Sequence, residues 1–147
     1  MIDPLVRPAV ASDIDALQML ESESRAAVQD QRGGARWLVE HPAVGDGWAT
    51  RFGDADVLVG HIDDVVIGYL VAVLGADRIV RIDQVWVTPE ARELGFGDAL
   101  LASAIDRARP RGAIAVEGEA LPGDRQTKNL YERAGIVARL ITTYRPL

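Results

Sequence analysis

The amino-acid sequence predicts an α/β (α+β) domain, built on a mixed and mostly antiparallel sheet of about six strands with helices on both faces. Three β-branched runs between Asp56 and Val87 are separated by tight turn signals, which is typical of an antiparallel meander. Apolar residues recur at helical spacing before and after these runs. The 147 residues are 48% hydrophobic and 26% charged, so we expect one globular domain over residues 1–147.

Charge and composition exclude several function classes. The chain has 16 Lys and Arg against 22 Asp and Glu, a net charge of −6, and no basic run, which argues against nucleic acid and anionic membranes as partners. Cysteine is absent, so disulfides, thiolate nucleophiles and cysteine-bound metals are excluded. His41 and His61 lack partners at ligand spacing, so we expect no metal site. With no signal-like or membrane-spanning stretch in the sequence, we expect a cytoplasmic location.

The first third of the chain predicts one strand and two helices. Residues 5–10 are extended in character, and Ser12 with Asp15 three positions later predicts the N-terminus of a helix. Residues 35–41 predict a short second helix that stops before Pro42. Three glycines between residues 45 and 53 then predict a loop.

The central part predicts a β-hairpin followed by a third antiparallel strand, Ile79 to Val87. In that third strand, polar and apolar residues alternate as far as Asp83, but ValTrpVal at 85–87 breaks the alternation. A β-bulge near Gln84 would account for this slip in phase.

The last third predicts, in order, a glycine-containing loop at residues 92–98, a helix to Ala108, a strand from residue 114, a helix and a final strand. Asp124 is the expected N-cap of that second helix and Gly135 its end. The final strand is predicted over residues 136–144.

The glycine loop, residues 92–98, is the segment whose sequence indicates a binding function. Glycines let successive N–H groups converge, and the helix that follows adds unpaired N–H groups and the positive end of its dipole. Such a loop binds a phosphate through the backbone alone, although a tight strand-to-helix turn also needs small residues. The sequence has neither a P-loop lysine nor the third glycine of a dinucleotide fingerprint.

ArgGluLeuGlyPheGly at 92–97 resembles the Arg/Gln-x-x-Gly-x-Gly/Ala loop of the GNAT superfamily of acetyl-CoA-dependent N-acetyltransferases. The preceding ValTrpValThrProGluAlaArg resembles that family's fourth strand. AsnLeuTyrGluArgAlaGlyIle at 129–136 is similar to its LeuTyr-x-x-x-Gly-Phe motif. The resemblance covers nearly the whole chain and implies a GNAT-like fold with a splayed cleft between the fourth and fifth strands.

The resemblance also implies that acetyl-CoA is the co-substrate. Main-chain groups of the strand from Ile79 to Val87 would contact the pantetheine arm, and the glycine loop would hold the pyrophosphate. The implied cofactor-binding residues are Val85, Trp86, Val87, Arg92, Glu93, Leu94, Gly95, Phe96, Gly97, Asp98, Asp124 and Asn129. Two of them depart from the family pattern, because Asp98 places a carboxylate beside the pyrophosphate and Asp124 stands where relatives commonly have Asn.

Three residues are candidates for catalysis. On the resemblance, Tyr131 would donate a proton to the departing thiolate, and the alternative is a tyrosine that only packs under the sheet. Asp83 and Glu119, the latter alternating with Glu117 on one face of a strand, are candidates for the base that takes a proton from the amine. Each of these carboxylates could instead be solvated or paired with Arg81 or Arg78.

The function we expect is transfer of an acetyl group from acetyl-CoA to a primary amine by direct attack in a ternary complex. The acceptor could be a small-molecule amine or a protein N-terminal or lysine amine, and a homodimer is left open. Residues 25–50 would set acceptor choice, with Trp37, His41 and Trp48 as pocket contacts or as core. The alternative is a non-catalytic acyl-CoA-binding module or sensor with the same fold.

Overall fold

The computed structural model describes residues 3–147. The described chain contains five strands and five α-helices: β1 (Leu5–Pro8), α1 (Ile14–Gln29), α2 (Gly34–Glu40), α3 (Trp48–Asp54), β2 (Asp56–Ile62), β3 (Val65–Leu74), β4 (Ile79–Val87), α4 (Phe96–Ala108), β5 (Ala115–Gly118) and α5 (Arg125–Arg133). Within residues 3–147, no helix is both long enough and apolar enough to cross a membrane.

The strands form one sheet in the order β1-β2-β3-β4-β5. Neighbouring strands among β1 to β4 are antiparallel to one another, whereas β5 runs parallel to β4. The predicted hairpin, the third strand at Ile79–Val87 and the mixed, mostly antiparallel sheet are therefore confirmed. The connection from β4 to β5 passes through α4, as a parallel pair requires.

Each face of the sheet has its own core because the strands alternate apolar side chains between the two faces. On one face α1 and α3 pack Leu17, Leu20 and Trp48 against Tyr69 and Val71. On the other face α4 and α5 bury a second cluster that includes Leu58, Leu70, Ile82, Leu100, Leu101, Leu130 and Tyr131. Helices thus cover both faces, as the sequence predicts.

The predicted bulge in β4 is confirmed by the strand register. Val71 lies opposite Gln84, whereas the next residue of β3, Ala72, lies opposite Ile82, so Asp83 is the extra residue. An extra residue shifts the side-chain alternation by one position. That shift is why Ile82 and Val85 both pack in the α4 core although they are three positions apart.

Three sequence predictions are wrong. Residues 136–144 form no strand, because strand propensity is expressed only with a partner and none pairs with this segment in the described structure. The loop predicted around Gly47 and Gly53 contains α3, because burying Trp48 completely outweighs the local glycine composition. Ser12 lies in a 3₁₀ turn and caps nothing, while Asp13 accepts the Val10 amide and pairs with Arg7.

Two carboxylates of α1 bind side chains of β4 beyond the bulge. Glu21, which is 2% exposed, accepts hydrogen bonds from the amides of Val44 (3.0 Å) and Gly45 (2.9 Å) and from Gln84 Nε2 (2.9 Å). Glu23 accepts from Trp86 Nε1 at 3.0 Å. A buried carboxylate is tolerated because several donors satisfy it. Glu21 thereby joins α1, the bulged strand and the loop after α2.

Replacing Glu21 by alanine should lower the free energy of unfolding by about 2–4 kcal/mol, because three hydrogen-bond donors lose their buried acceptor. Urea denaturation of the full chain measures this. Glu132→Ala, which removes an exposed partner of Lys128 on α5, is the matched control and should change stability by less than about 0.5 kcal/mol. Equal effects of the two variants would contradict the structural role given to Glu21.

Candidate active site

A cleft opens where β4 and β5 diverge. The two strands pair from Ile79 opposite Ala115 to Ile82 opposite Gly118, and β4 then continues unpaired on that side to Val87. Divergence begins at the bulge residue Asp83, because the bulge bends its strand away from the neighbour. The splayed cleft between the fourth and fifth strands is therefore confirmed. It belongs to a cavity of about 820 Å³ that α1, α2, the glycine loop and α5 also line.

Main-chain groups of the freed half of β4 point into this cleft. The Thr88 amide donates to Ile67 O at 2.8 Å, which makes Val87 and Gly68 a non-hydrogen-bonded antiparallel pair. The N–H and C=O of Val87 therefore face away from β3. Val85, two residues earlier, has the same orientation. A ligand that lies along β4 in the place of a further strand can therefore bond to Val85 and Val87.

The glycine loop presents backbone donors to the same cavity. Gly95 has φ +90° and is the N-cap of α4, and Glu93 also has positive φ, at 69°. Among residues 3–147, no main-chain carbonyl accepts a hydrogen bond from the amides of Glu93, Leu94 or Gly95. The first-turn amides of α4 lack intrahelical partners by geometry. The loop therefore has the donor set of a phosphate site at a helix N-terminus.

Side chains of the loop are turned away from these donors. Arg92 Nε donates to Val87 O at 3.1 Å, and its guanidinium stacks 4.5 Å above the Trp86 ring. Asp98, the departure from the family pattern, pairs with Arg133 Nε at 2.9 Å. Its negative charge is thus partly neutralised by Arg133. Phe96 is buried in the core and anchors the loop, while Glu93 and Leu94 are exposed.

The start of α5 forms another wall of the cavity. Asp124 is the N-cap, as the sequence predicts: its carboxylate accepts from the Thr127 amide (3.1 Å) and the Thr127 hydroxyl (2.7 Å). Both of its oxygens are therefore used within the chain. Asn129, further along α5, also lines the cavity. Within residues 3–147 its side-chain amide makes no hydrogen bond of the kind that occupies Asp124.

Tyr131 lies in the cleft beside the end of β5. A Cβ at Gly118 would lie only 2.7 Å from the Tyr131 hydroxyl oxygen, so the ring fits there because residue 118 has no side chain. Burial raises the pKa of the Tyr131 phenol above its ordinary value, and the charges of Asp124 and Glu119 raise it further. The hydroxyl group therefore stays protonated at neutral pH.

The carboxylates of Asp83, Glu117 and Glu119 have different surroundings. Glu117 pairs with Arg81 Nε at 2.8 Å, one of the two expected arginines, whereas Asp83 contacts Arg51 Nη2 instead of Arg81 or Arg78. Glu119 is 79% exposed and lies 3.9 Å from His41 Nε2. Asp83 and Glu119 line the same cavity as Tyr131.

The proposed acceptor-pocket residues separate into two groups. Trp48 is completely buried and packs edge-on against Tyr69, so it belongs to the core. Trp37 and His41 of α2 and its C-terminus line the cavity, with their rings stacked at 4.3 Å. Arg51 and Arg133, which engage Asp83 and Asp98, have no signal in the sequence, because contacts across 32 and 35 residues have no local pattern.

Comparison with known proteins decides the family. The model of the acetyltransferase (GNAT) family matches residues 17–136, most of the chain. The chain belongs to the GNAT acetyltransferase family. Sequence comparison with curated proteins gives no significant match.

Solved structures with this GNAT fold include three informative neighbours. AAC(6')-Iy, solved with the bisubstrate analog CoA-S-monomethyl-acetylneamine, is 14% identical with a TM-score of 0.70, covering 99% of this chain and 100% of that one. The ribosomal-protein-S18-alanine N-acetyltransferase of Escherichia coli is 17% identical (TM-score 0.67; 90% and 77% covered). PaiA N-acetyltransferase of Thermoplasma acidophilum, in complex with coenzyme A, is 15% identical (TM-score 0.74; 90% and 89% covered). At these identities the likeness shows the fold.

The two glycines of the loop should respond differently to alanine. Gly95→Ala should lower the free energy of unfolding by about 1–2 kcal/mol, because alanine is strained at φ +90° and its Cβ would lie 3.3 Å from Pro4. Gly97→Ala is the control, since its Cβ would meet Leu130 at an ordinary 3.4 Å in helical backbone. Urea denaturation compares them, and a larger loss for Gly97→Ala would contradict the loop geometry.

Proposed function

We propose that this chain transfers the acetyl group of acetyl-CoA to a primary amine, by direct attack of the amine in a ternary complex. The observation that carries the proposal is the cleft itself: outward-facing main-chain groups of β4, backbone donors of the glycine loop and the hydroxyl group of Tyr131 line one cavity. The membership of the GNAT acetyltransferase family supports acyl transfer.

The residues present fit acetyl-CoA. The backbone donors at residues 93–98 and the N-terminus of α4 suit a pyrophosphate. The Val85 main-chain groups and the Val87 N–H, which face away from β3, suit the amides of a pantetheine arm, while Val87 O already accepts from Arg92. Trp86 and Arg92 would form the rim of this site, with the charge of Arg92 near the phosphates. Asn129 offers a side-chain amide, whereas the Asp124 carboxylate is occupied by Thr127. The bound co-substrate would supply an electrophilic thioester.

Groups of the chain itself would stabilise the charge that develops on the thioester oxygen and would transfer the protons. The Val87 N–H faces the cleft and would polarise the thioester carbonyl, an oxyanion-type contribution. Tyr131, protonated at neutral pH, would donate its proton to the departing sulfur. Of the two predicted bases, Glu119 is solvent-accessible without an arginine partner, whereas Asp83 contacts Arg51.

The acceptor side of the cavity suits a cationic amine. The stacked rings of Trp37 and His41 form an apolar wall, and the carboxylates of Glu40, Asp83 and Glu119 also line the cavity. Negative charge raises the local concentration of a cation and offers hydrogen-bond acceptors to an ammonium group. Small polyamines, aminoglycosides, amino acids and protein N-terminal or lysine amines all carry such a group.

Tyr131→Phe should reduce kcat by about 100-fold or more, because it removes the proton donor without changing the shape of the site. Free CoA thiol released from acetyl-CoA is measured with 1,4-diaminobutane, an aminoglycoside, an amino acid and an alanyl peptide as acceptors. Tyr144→Phe, which changes an exposed tyrosine, is the control and should retain wild-type turnover. CoA affinity by calorimetry should be nearly equal in all three proteins.

The same assay separates the two functions. Turnover unaffected by Tyr131→Phe would overturn the assignment of the acid. A wild-type chain that binds acetyl-CoA tightly but turns over with no amine would support the alternative, a non-catalytic acyl-CoA-binding module or sensor.

We also propose that the chain forms a homodimer through its C-terminal segment, residues 136–147. Leu140 and Ile141 in this segment are 88% and 81% exposed, and among the described residues 3–147 β5 has a neighbouring strand on one side only. Exposed apolar side chains with strand-forming composition and an open sheet edge favour pairing with a second copy.

Sedimentation velocity should give a dimer for the wild type and a monomer for the double variant Leu140→Asp/Ile141→Asp, because two charges per copy would be buried in the contact. Val39→Asp changes an equally exposed residue of α2, at 81%, and should leave the dimer intact. A monomeric wild type at tens of micromolar would overturn this assembly.

A further inference from the structure

His41, at the C-terminus of α2, has a defined tautomer. Its ring Nδ1 lies 2.9 Å from the main-chain carbonyl oxygen of Trp37. A carbonyl oxygen can only accept a hydrogen bond, so Nδ1 carries the proton. In the neutral ring the lone pair therefore resides on Nε2.

The ring is also held in place. It stacks on the Trp37 indole with centroids 4.3 Å apart and planes inclined by 13°. The His41 amide donates to the same Trp37 carbonyl at 2.9 Å, and Arg25 of α1 donates to the carbonyls of His41 (2.7 Å) and Leu38 (3.1 Å). Both the backbone and the ring of His41 are thus held in place, which preorganises the direction of the Nε2 lone pair.

His41 Nε2 lies near Glu119, and both residues line the cavity that Tyr131 also lines. Nε2 lies 3.9 Å from Glu119 Oε1, too far for a direct hydrogen bond and close enough for a shared ligand or water. Glu119 in turn acts on Tyr131, since its charge contributes to raising the pKa of that phenol. Glu119 therefore lies near both His41 and Tyr131 within one cavity.

From this geometry we infer that His41 Nε2 is the base that takes the proton from the acceptor amine, an inference that rests on the proposed acetyl transfer. Glu119 would then attract the cationic amine and orient it toward Nε2. The predicted base Asp83 is unsuited because its carboxylate contacts Arg51.

The ammonium group of the acceptor first loses one proton to solvent, which leaves the neutral amine that attacks. As the bond from the amine nitrogen to the carbonyl carbon forms, the nitrogen gives a second proton to His41 Nε2. As the carbon–sulfur bond breaks, the sulfur takes one proton from Tyr131. Return of the proton from His41 to Tyr131, through Glu119 or water, restores both residues and leaves an amide and free CoA thiol.

The test compares His41→Gln, which keeps a polar side chain without a basic nitrogen, with His61→Gln. His61 is a matched control because its Nδ1 also lies 2.9 Å from a carbonyl oxygen, that of Asp63, on the exposed end of β2. With the most active amine of the panel, His41→Gln should lower kcat by about 100-fold or more and abolish the acid limb of the kcat/KM profile. CoA affinity should be unchanged, and His61→Gln should behave as the wild type.

Other charged groups face His41, and their effects on the pH dependence of kcat/KM must be distinguished from the effect of His41. They are Glu119 from the segment between β5 and α5, Arg25 from α1 and the neighbouring Glu40. Glu119→Gln should raise KM for the amine more than it lowers kcat and should keep the acid limb. Added imidazole should partly restore turnover to His41→Ala, which leaves a space beside Trp37.

A kcat for His41→Gln within threefold of the wild type, with an unchanged profile, would overturn the role of His41 and leave acetyl transfer standing. A wild type without turnover would overturn the proposed function first. Ring ¹⁵N shifts of the wild type give a readout that needs no activity: they should place the proton of neutral His41 on Nδ1, and a proton on Nε2 would contradict the inference.

Discussion

The buried carboxylate of Glu21 is the contact on which the geometry of the cleft depends. It ties Gln84, next to the bulge residue of β4, to the amides of Val44 and Gly45 in the loop after α2. One side chain therefore fixes both the strand that opens away from β5 and the position of α2 across the cleft. Three hydrogen bonds to Glu21 offset the free-energy cost of burying its charge. They hold α1, β4 and the loop after α2 in one relative position.

In the proposed site, backbone groups would supply most of the donors to the phosphates. The chain has a net charge of −6 and no run of basic residues in its sequence, but the glycine loop and the N-terminus of α4 bring a set of N–H groups together. Two acidic residues lie in that loop: Asp98 pairs with Arg133 and so would oppose a bound anion less, whereas Glu93 is exposed. Glu40, Asp83 and Glu119 line the proposed acceptor side, where they would favour a cation. Under the proposed function, the two ends of one cavity would bind groups of opposite charge.

Local patterns in the sequence predict the elements around the site well. The phase slip at residues 85–87 predicts the bulge, Asp124 predicts the start of α5, and the two motifs predict the family. Features that depend on partners were missed. Segment 136–144 has strand composition but no pairing partner in the described chain, and α3 forms because Trp48 finds a buried site. The tautomer of His41 depends on a carbonyl four residues away and on its stacking with Trp37, which composition does not reveal.

We propose that main-chain amides of the glycine loop and of the freed half of β4 hold an acyl-CoA. This binding mode can be tested by titrating the ¹⁵N-labelled full chain with CoA and following the amide chemical shifts. The largest changes should fall on residues 93–98 and on Val85 and Val87, with small changes at the distant β1–β2 edge of the sheet. Saturable binding with its largest changes away from these residues, or no binding at millimolar CoA, would contradict it.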